Sequence, residues 1–525
     1  MKKSTIFYNG EIITMENTYP EAIFVEDGKI ISIGSNKEIF KLKNTNTKEE
    51  NLEGKVLLPG FIDAHSHITA FAQTLGLVDL SKCTNIKQII LKLQEYKNEN
   101  KLIDGKWIVG FGYDNNLLEE KRHPSNIELD EATKKNPILI SHVSGHMGVT
   151  NTIGLKAMNI NEETKNPEGG SYGRNKTTGK LNGYMEESAF ITNAKIANEL
   201  SNEEHVELIE RAQRIYLKNG ITTIQDGLTK EKEFDILRQS SKEYKLKVDT
   251  ICYIDMSERK RILEKGIRFL RKYVNKLKIG GYKIILDGSP QGKTAWMSKP
   301  YIGENEYRGY PAKTDEEILE SIEICLNENM QLLAHCNGDE AAEQFIRCIE
   351  KFDKEDIKKI RPVMIHAQTI REDQLDKIKK LNIIPSFFVS HTYYWGDVHI
   401  KNLGWERAKN ISPAKSAEDL AINYTFHQDT PVLSPNILES IWCSVNRATK
   451  EGIIIGEEQK IDVYSALKAV TINAAYQYKE EKVKGSIKEG KIANLIILDK
   501  NPLKINREEI KNIKVIKTFI NGEEV

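Results

Sequence analysis

The hydrophobic pattern changes character twice along the chain. Residues 4–56 carry short apolar runs with the period of strands: Ile12 to Met15, then Ala22 to Val25, then an Asp27-Gly28 turn into Lys29 to Gly34. The far end repeats that style. Gly485 to Lys491 leads into Ala493 to Leu498, and Val515 to Ile520 runs into Asn521-Gly522. Both ends are β-rich and the middle is not. The economical reading is one small composite β domain, built from residues 1–57 and 480–525, flanking a larger central domain.

The centre alternates apolar strand runs with amphipathic helical stretches. Ser201-Asn202-Glu203-Glu204 is a capping box that opens a helix to about Asn219, and Gly220 ends it. Strand candidates follow at Ile221 to Gly227, Lys247 to Tyr253, Tyr282 to Asp287, Gln331 to His335, Val363 to His366, Ile383 to Phe388 and Tyr424 to Asp429. Helical stretches such as Asp315 to Asn329 and Arg371 to Leu381 separate them. With Phe61 to His67 as the first strand the count is eight. Eight β/α repeats predict an α/β fold, a (β/α)8 TIM-type barrel over residues 58–479, with its chemistry at the carboxyl ends of the strands. Residues 70–200 then form an insertion after barrel strand one. That insertion has strand-like pieces of its own, Trp107 to Phe111 and Ile138 to His142, and a Gly-rich loop at Gly169 to Gly173. An insertion there emerges on the active-site face, so it is expected to act as a lid or substrate subdomain.

Composition narrows the class. Lys plus Arg and Asp plus Glu are equal at 76 each, so no bulk field draws the protein to nucleic acid or to an anionic membrane. No apolar run approaches the roughly 20 residues that cross a bilayer, and the start lacks the apolar core of a signal peptide. The six cysteines form no Cys-x-x-Cys pair, which argues against a disulfide framework and a cysteine zinc site and for a reducing, cytoplasmic location. A homodimer is the base-rate expectation for assembly.

Candidate chemistry gathers at the strand ends. The run Leu57-Leu58-Pro59-Gly60-Phe61-Ile62 ends in Asp63-Ala64-His65-Ser66-His67. If that run is a strand, His65 and His67 share a face, and two converging imidazoles suit a transition metal, above all Zn²⁺. His335 and His366 end apolar runs of their own. Asp429 ends the last strand, where a carboxylate serves both to ligate a metal and to exchange a proton with bound water. Lys283 is the odd member: an amine inside an apolar strand is costly unless paired, with Asp287 or Glu187 for example, or chemically changed.

These residues resemble the amidohydrolase superfamily of metal-dependent TIM-barrel hydrolases. The resemblance rests on Leu58 to His67, Gly220 to Asp226 and Gly485 to Leu498. Within the superfamily the chain is similar to the amidohydrolase-3 branch and its N-substituted formamide deformylases. The marks are Trp107 to Tyr113, Leu129 to Ala132, Gly145-His146, the Gly183 to Ala189 segment with Glu187, Asp287 to Ser289 with Thr294 to Trp296, and His335 to Asp339. One departure is Asn494, where the family usually has Asp.

The resemblance implies one or two divalent ions. His65 and His67 would hold the more buried one, Lys283 would bridge as a carboxylated lysine, His335 and His366 would hold the second, and Asp429 would ligate and shuttle the proton. It implies hydrolysis of a non-peptide carbon–nitrogen bond, an amide or formamide, by metal-activated hydroxide. A small-molecule amide would meet a rim drawn from Glu187, Asp287, Trp296, His391, Trp395 and His146. Two alternatives stand beside it. One is a deaminase of a cyclic amidine or nucleobase, which would use Asp339 or Glu340 after His335. The other is a non-catalytic ligand-binding or regulatory barrel.

Overall fold

The computed structural model describes residues 3–197 and 200–525; Met1, Lys2, Asn198 and Glu199 lie outside the described residues. The chain divides into two compact units, Met1–Phe71 with Ile209–Val525, and Ala72–Leu208.

The first unit is organised by an eight-stranded sheet whose neighbours are all parallel and whose spatial order is the chain order. Its strands are β1 (Phe61–Ile62), β2 (Ile221–Thr229), β3 (Asp249–Asp255), β4 (Leu277–Ile285), β5 (Gln331–Cys336), β6 (Val363–His366), β7 (Ile384–Phe387) and β8 (Thr425–Phe426). Its two edges meet just past β1 and β8. Asp429 N donates to His65 O (3.2 Å) and His67 N donates to Thr430 O (2.8 Å). The curled sheet is a TIM-type barrel.

Local chemistry explains the crossovers. The helix Asp315–Glu328 starts at Thr314, whose hydroxyl accepts from Glu317 N while the Glu317 carboxylate accepts from Thr314 N. It buries Ile318, Ser321, Ile322 and Cys325, one face at helical spacing, and Asn329 in the left-handed conformation stops it. The helix Asn202–Lys218 opens on the reciprocal Ser201–Glu204 bonds, and Gly220 turns the chain into β2 at φ +76°. Inside the barrel Ile62, Ile251, Leu333, Val363, Ile365 and Ile384 pack as one buried cluster. Lys283 is in register with Leu333, so its side chain shares that interior face.

Strand one differs from the sequence reading. The apolar run from Leu57 does not continue as a single strand to His67. Val56–Pro59 pairs with Leu495–Leu498 in a five-stranded sheet, and only Phe61–Ile62 joins the barrel. The break falls at Pro59-Gly60. Proline removes a ladder donor, and a Cβ on Gly60 would lie 2.5 Å from Thr222 Cγ2, so only glycine passes. Ile12 to Met15 is likewise shorter, with strand only at Glu11–Ile12, because Met15 turns back at φ +63°.

The five-stranded sheet runs Glu11–Ile12, Val56–Pro59, Leu495–Leu498, Val515–Ile520, Glu523–Glu524. A four-stranded sheet runs Lys29–Gly34, Ala22–Glu26, Ser4–Tyr8, Thr47–Asn51. Phe7, Ile23, Val25, Leu57, Leu495, Ile497 and Phe519 bury a shared core. Asn494 belongs here: its carbonyl accepts from Gly60 N (2.8 Å) and its side chain accepts from Asn521 N (3.0 Å). The second unit has its own six-stranded sheet and a core around Leu80, Ile89, Leu93, Ile108 and Ile140. Among the described residues no helix is long and apolar enough to cross a membrane. All six cysteines are free and buried.

Candidate metal centre

Three side chains converge where the barrel's edges meet. His65 Nε2 and His67 Nε2 lie 3.4 and 3.2 Å from Asp429 Oδ1. Each of the three offers a ligand atom, all within 4.8 Å of one another. Gln225 on β2 orients the pair from behind. Its Nε2 donates to Ala64 O (3.0 Å) and Tyr478 OH (3.0 Å), which turns Oε1 toward His65 Nδ1 at 2.5 Å. An acceptor at Nδ1 puts the ring proton there and leaves the Nε2 lone pair for a cation.

Lys283 lies deeper on β4, 3% exposed, and its Nζ has no hydrogen-bond partner among the described residues. Neither partner considered from the sequence engages it. Asp287 accepts backbone amides from Asn337 (2.9 Å), Gly338 (2.7 Å) and Trp296 (3.0 Å), and Glu187 pairs with His146. Burial pulls the Lys283 amine down to about 7, against the opposing pull of Asp429.

A second set stands beside the first. His335 Nδ1 faces His366 Nε2 at 3.2 Å, while His335 Nε2 reaches Gly288 O (3.1 Å). Behind His366 the chain of contacts continues: His366 Nδ1 to His427 Nε2 (3.1 Å), then His427 Nδ1 to Ser386 Oγ (2.9 Å). His366 and Asp429 both take left-handed backbone, φ +70° and +52°, at a cost of about 1–3 kcal/mol each. That break at the strand end turns each side chain out of the pleat and into the cluster.

The protonation states suit a divalent cation. Burial, then the nearby Lys283, brings His335 down to about 4 and holds His65 well below the usual imidazole range; burial does the same to His366, with His335 adding to it. Burial alone would raise Asp429, but His67, His366 and His65 outweigh it and hold the carboxyl well below its ordinary range. Neutral imidazoles, an ionised carboxylate and an orphaned buried amine are a donor set that fits metal and is poorly satisfied without it.

The five ligand candidates at or just past strand ends, His65, His67, His335, His366 and Asp429, therefore sit at one end of the barrel, with Lys283 inside β4 beneath them. The rim candidates do not all share their setting. His391 and Trp395 follow β7, with rings 4.5 Å apart; His391 is buried and its Nδ1 meets His399 Nε2 at 3.0 Å. Trp296 is half-buried. Asp287 is 3% exposed with its oxygens taken up by the three amides, so it braces the loop after His335 instead of presenting a free carboxylate. His146 and Glu187 form an exposed pair in the second unit, 3.1 Å apart. Sequence reasoning missed Gln225 and His427. His427 had a visible signal, since it precedes Asp429 by two residues as His65 precedes His67.

Comparison with known proteins adds the following. The family described as "Amidohydrolase family" matches residues 48–525. YtcJ of Bacillus subtilis (strain 168), provisionally named an amidohydrolase, is 26% identical over 99% of this chain and 98% of its own. The N-substituted formamide deformylase of Arthrobacter pascens is 22% identical over 98% of this chain and 96% of its own. An uncharacterized metal-dependent hydrolase from Pyrococcus horikoshii superposes with a TM-score of 0.76 at 25% identity, covering 96% of this chain and 99% of that one.

Proposed function

The chain belongs to the amidohydrolase family, and on that premise we propose that it hydrolyses a carbon–nitrogen bond other than a peptide bond, in a small amide or formamide. One observation carries the reading: His65, His67 and Asp429 converge beside Lys283, whose buried amine has no partner. The deformylase relative supports formamides as the first substrate class to try.

His65, His67 and Asp429 would hold one divalent ion. His335 and His366 would hold a second, with Lys283 between them after its amine adds to CO₂ and releases a proton. Zn²⁺ suits nitrogen and carboxylate donors in this number. Such ions supply hydroxide at neutral pH and polarise a carbonyl. Asp429, ionised and 3.2 Å from His67 Nε2, would take a proton from water and return it to the leaving nitrogen. Gln225 holds His65 in the ligating tautomer. We assign substrate selection to Trp296, His391 and Trp395 of the first unit.

The deaminase alternative finds less support. Of the two carboxylates it would use after His335, Asp339 accepts from Ser298 N (2.8 Å) and pairs with Arg371 (3.1 Å), and Glu340 lies 3.9 Å from Arg347. The test is metal analysis of purified protein joined to a panel of N-substituted formamides, small amides and nucleobases. Formate or carboxylate release that a chelator abolishes is the expected result. Ammonia release from nucleobases alone would replace the reading with deamination, and metal-free protein without chelator-sensitive hydrolysis would overturn it.

A further inference from the structure

A cavity of about 600 Å³, lined in part by charged side chains, opens at the amino ends of β3, β4 and β5. At about 3.3 Å per residue, the five residues from Lys278 to Lys283 place it roughly 15 Å down the barrel from the metal centre. Its walls hold Arg271, Lys276, Lys278, Lys479 and Lys484 against two carboxylates, Asp249 and Glu480. Cations therefore exceed anions by three.

The pairing pattern shows where the excess lies. Lys276 pairs with Asp249 (2.8 Å), and Lys484 bridges Asp249 and Glu480. Lys278 also pairs with Glu480. Three ammonium groups thus share two carboxylates. Arg271 and Lys479 have no ion pair among the described residues, and Lys479 donates to the carbonyl of Lys359 (2.6 Å). Burial, then Arg361, Arg271 and Lys278, brings Lys479 down to about 8, and burial lowers Lys278 despite its Glu480 partner. Arg271 and Lys479 are exposed at the mouth while the paired Lys278 and Lys484 are buried, and like charges gathered in a concave space create a field that an anion relieves. The Tyr273 ring lies 4.9 Å from Lys278 Nζ and 5.1 Å from Lys484 Nζ, a flat wall beside the charged groups. The volume is far larger than one oxyanion, so a ligand that fills it carries an organic part.

We propose that this cavity binds a small organic polyanion, a multivalent oxyanion group carried on a compact body, at the barrel end away from the metal centre. The oxyanion lies against Arg271, Lys278 and Lys479, and the organic part against Tyr273. Such a ligand ties the start of β4, the strand that bears Lys283, to the segment at Lys479, and so stabilises the barrel on binding.

Isothermal titration calorimetry of the metal-loaded protein tests this, with pyrophosphate and citrate as the two probes and ionic strength held constant with sodium chloride. Saturable one-to-one binding is expected for at least one probe, and which one separates a phosphate-bearing ligand from a polycarboxylate. In the Arg271→Gln/Lys479→Gln variant that affinity falls at least tenfold while the thermal unfolding temperature without the probe is not lowered, since neither side chain holds a carboxylate and their loss lessens the repulsion. Absence of saturable binding by both probes overturns the site. So does an affinity unchanged in the variant, which would move the binding to the metal centre.

Discussion

Gln225 Oε1 faces His65 Nδ1 at 2.5 Å, and the two other contacts of the same amide leave it no alternative orientation. A ligand histidine held this way keeps its lone pair on the metal side, and loss of such partners costs metal affinity about 10–100-fold. We expect Gln225→Leu to lose metal in that range in a chelator competition, with activity returning in excess metal. Unchanged affinity would show that Gln225 only fills space.

Asp429 stands between both halves of the cluster. Asp429→Asn keeps the size and removes the charge, so proton transfer should suffer more than binding. We expect turnover to fall by about 10³-fold or more while at least part of the metal remains by atomic emission. Near-normal turnover would remove Asp429 from the proton path.

Lys283 gives a prediction of opposite signs. A buried amine without a partner destabilises the metal-free barrel, by about 1–3 kcal/mol on mutational scales. Lys283→Met should therefore raise the melting temperature of the metal-free protein while abolishing activity. In the wild type, bicarbonate should increase metal uptake and intact-mass analysis should show one added CO₂. A Met variant that binds both ions and turns over normally would dismiss the bridge.

Asp249 sets an acid limit on stability. Burial would raise its pKa, but Lys484 and Lys276 outweigh burial and hold it at about 2, below the ordinary carboxylate value. A depressed folded-state pKa gives stability that is fully present above the unfolded value near 4 and is lost as pH falls through about 2. The term is worth about 2 kcal/mol. Urea unfolding between about pH 4.5 and about 2 should show that loss. Asp249→Asn should be less stable at neutral pH and flatter across the window.

How much of this was legible depended on the signal each residue leaves. The barrel strands were readable because each is a short apolar run between helical stretches, and His65, His335, His366 and Asp429 mark their ends. Lys283 stood out as a charge inside such a run. Gln225 left no mark, since a glutamine in a strand is ordinary until its three contacts are known. The division of Leu57 to Ile62 between two sheets was hidden as well, because both halves are equally apolar and only Pro59-Gly60 records the break. Asp287 read as a site carboxylate from its neighbours in sequence, and its oxygens accept the backbone amides of Asn337 and Gly338 after His335 and of Trp296.

His427 carries the last prediction. It sits between His366 Nδ1 and Ser386 Oγ, so it decides which nitrogen of His366 bears the proton. With His366 Nε2 on a metal, Nδ1 carries the proton and donates to His427 Nε2, and His427 Nδ1 then donates to Ser386. Burial brings His427 down to about 3, so it remains neutral through this exchange at neutral pH. His427→Phe removes the acceptor while keeping a ring in the space. We expect the site shared by His335 and His366 to weaken about 10–100-fold, while the site of His65, His67 and Asp429 keeps its affinity. Stepwise metal titration followed by calorimetry separates the two. Equal weakening of both sites would show that His427 acts through packing, because its ring also lies 5.3 Å from that of His65.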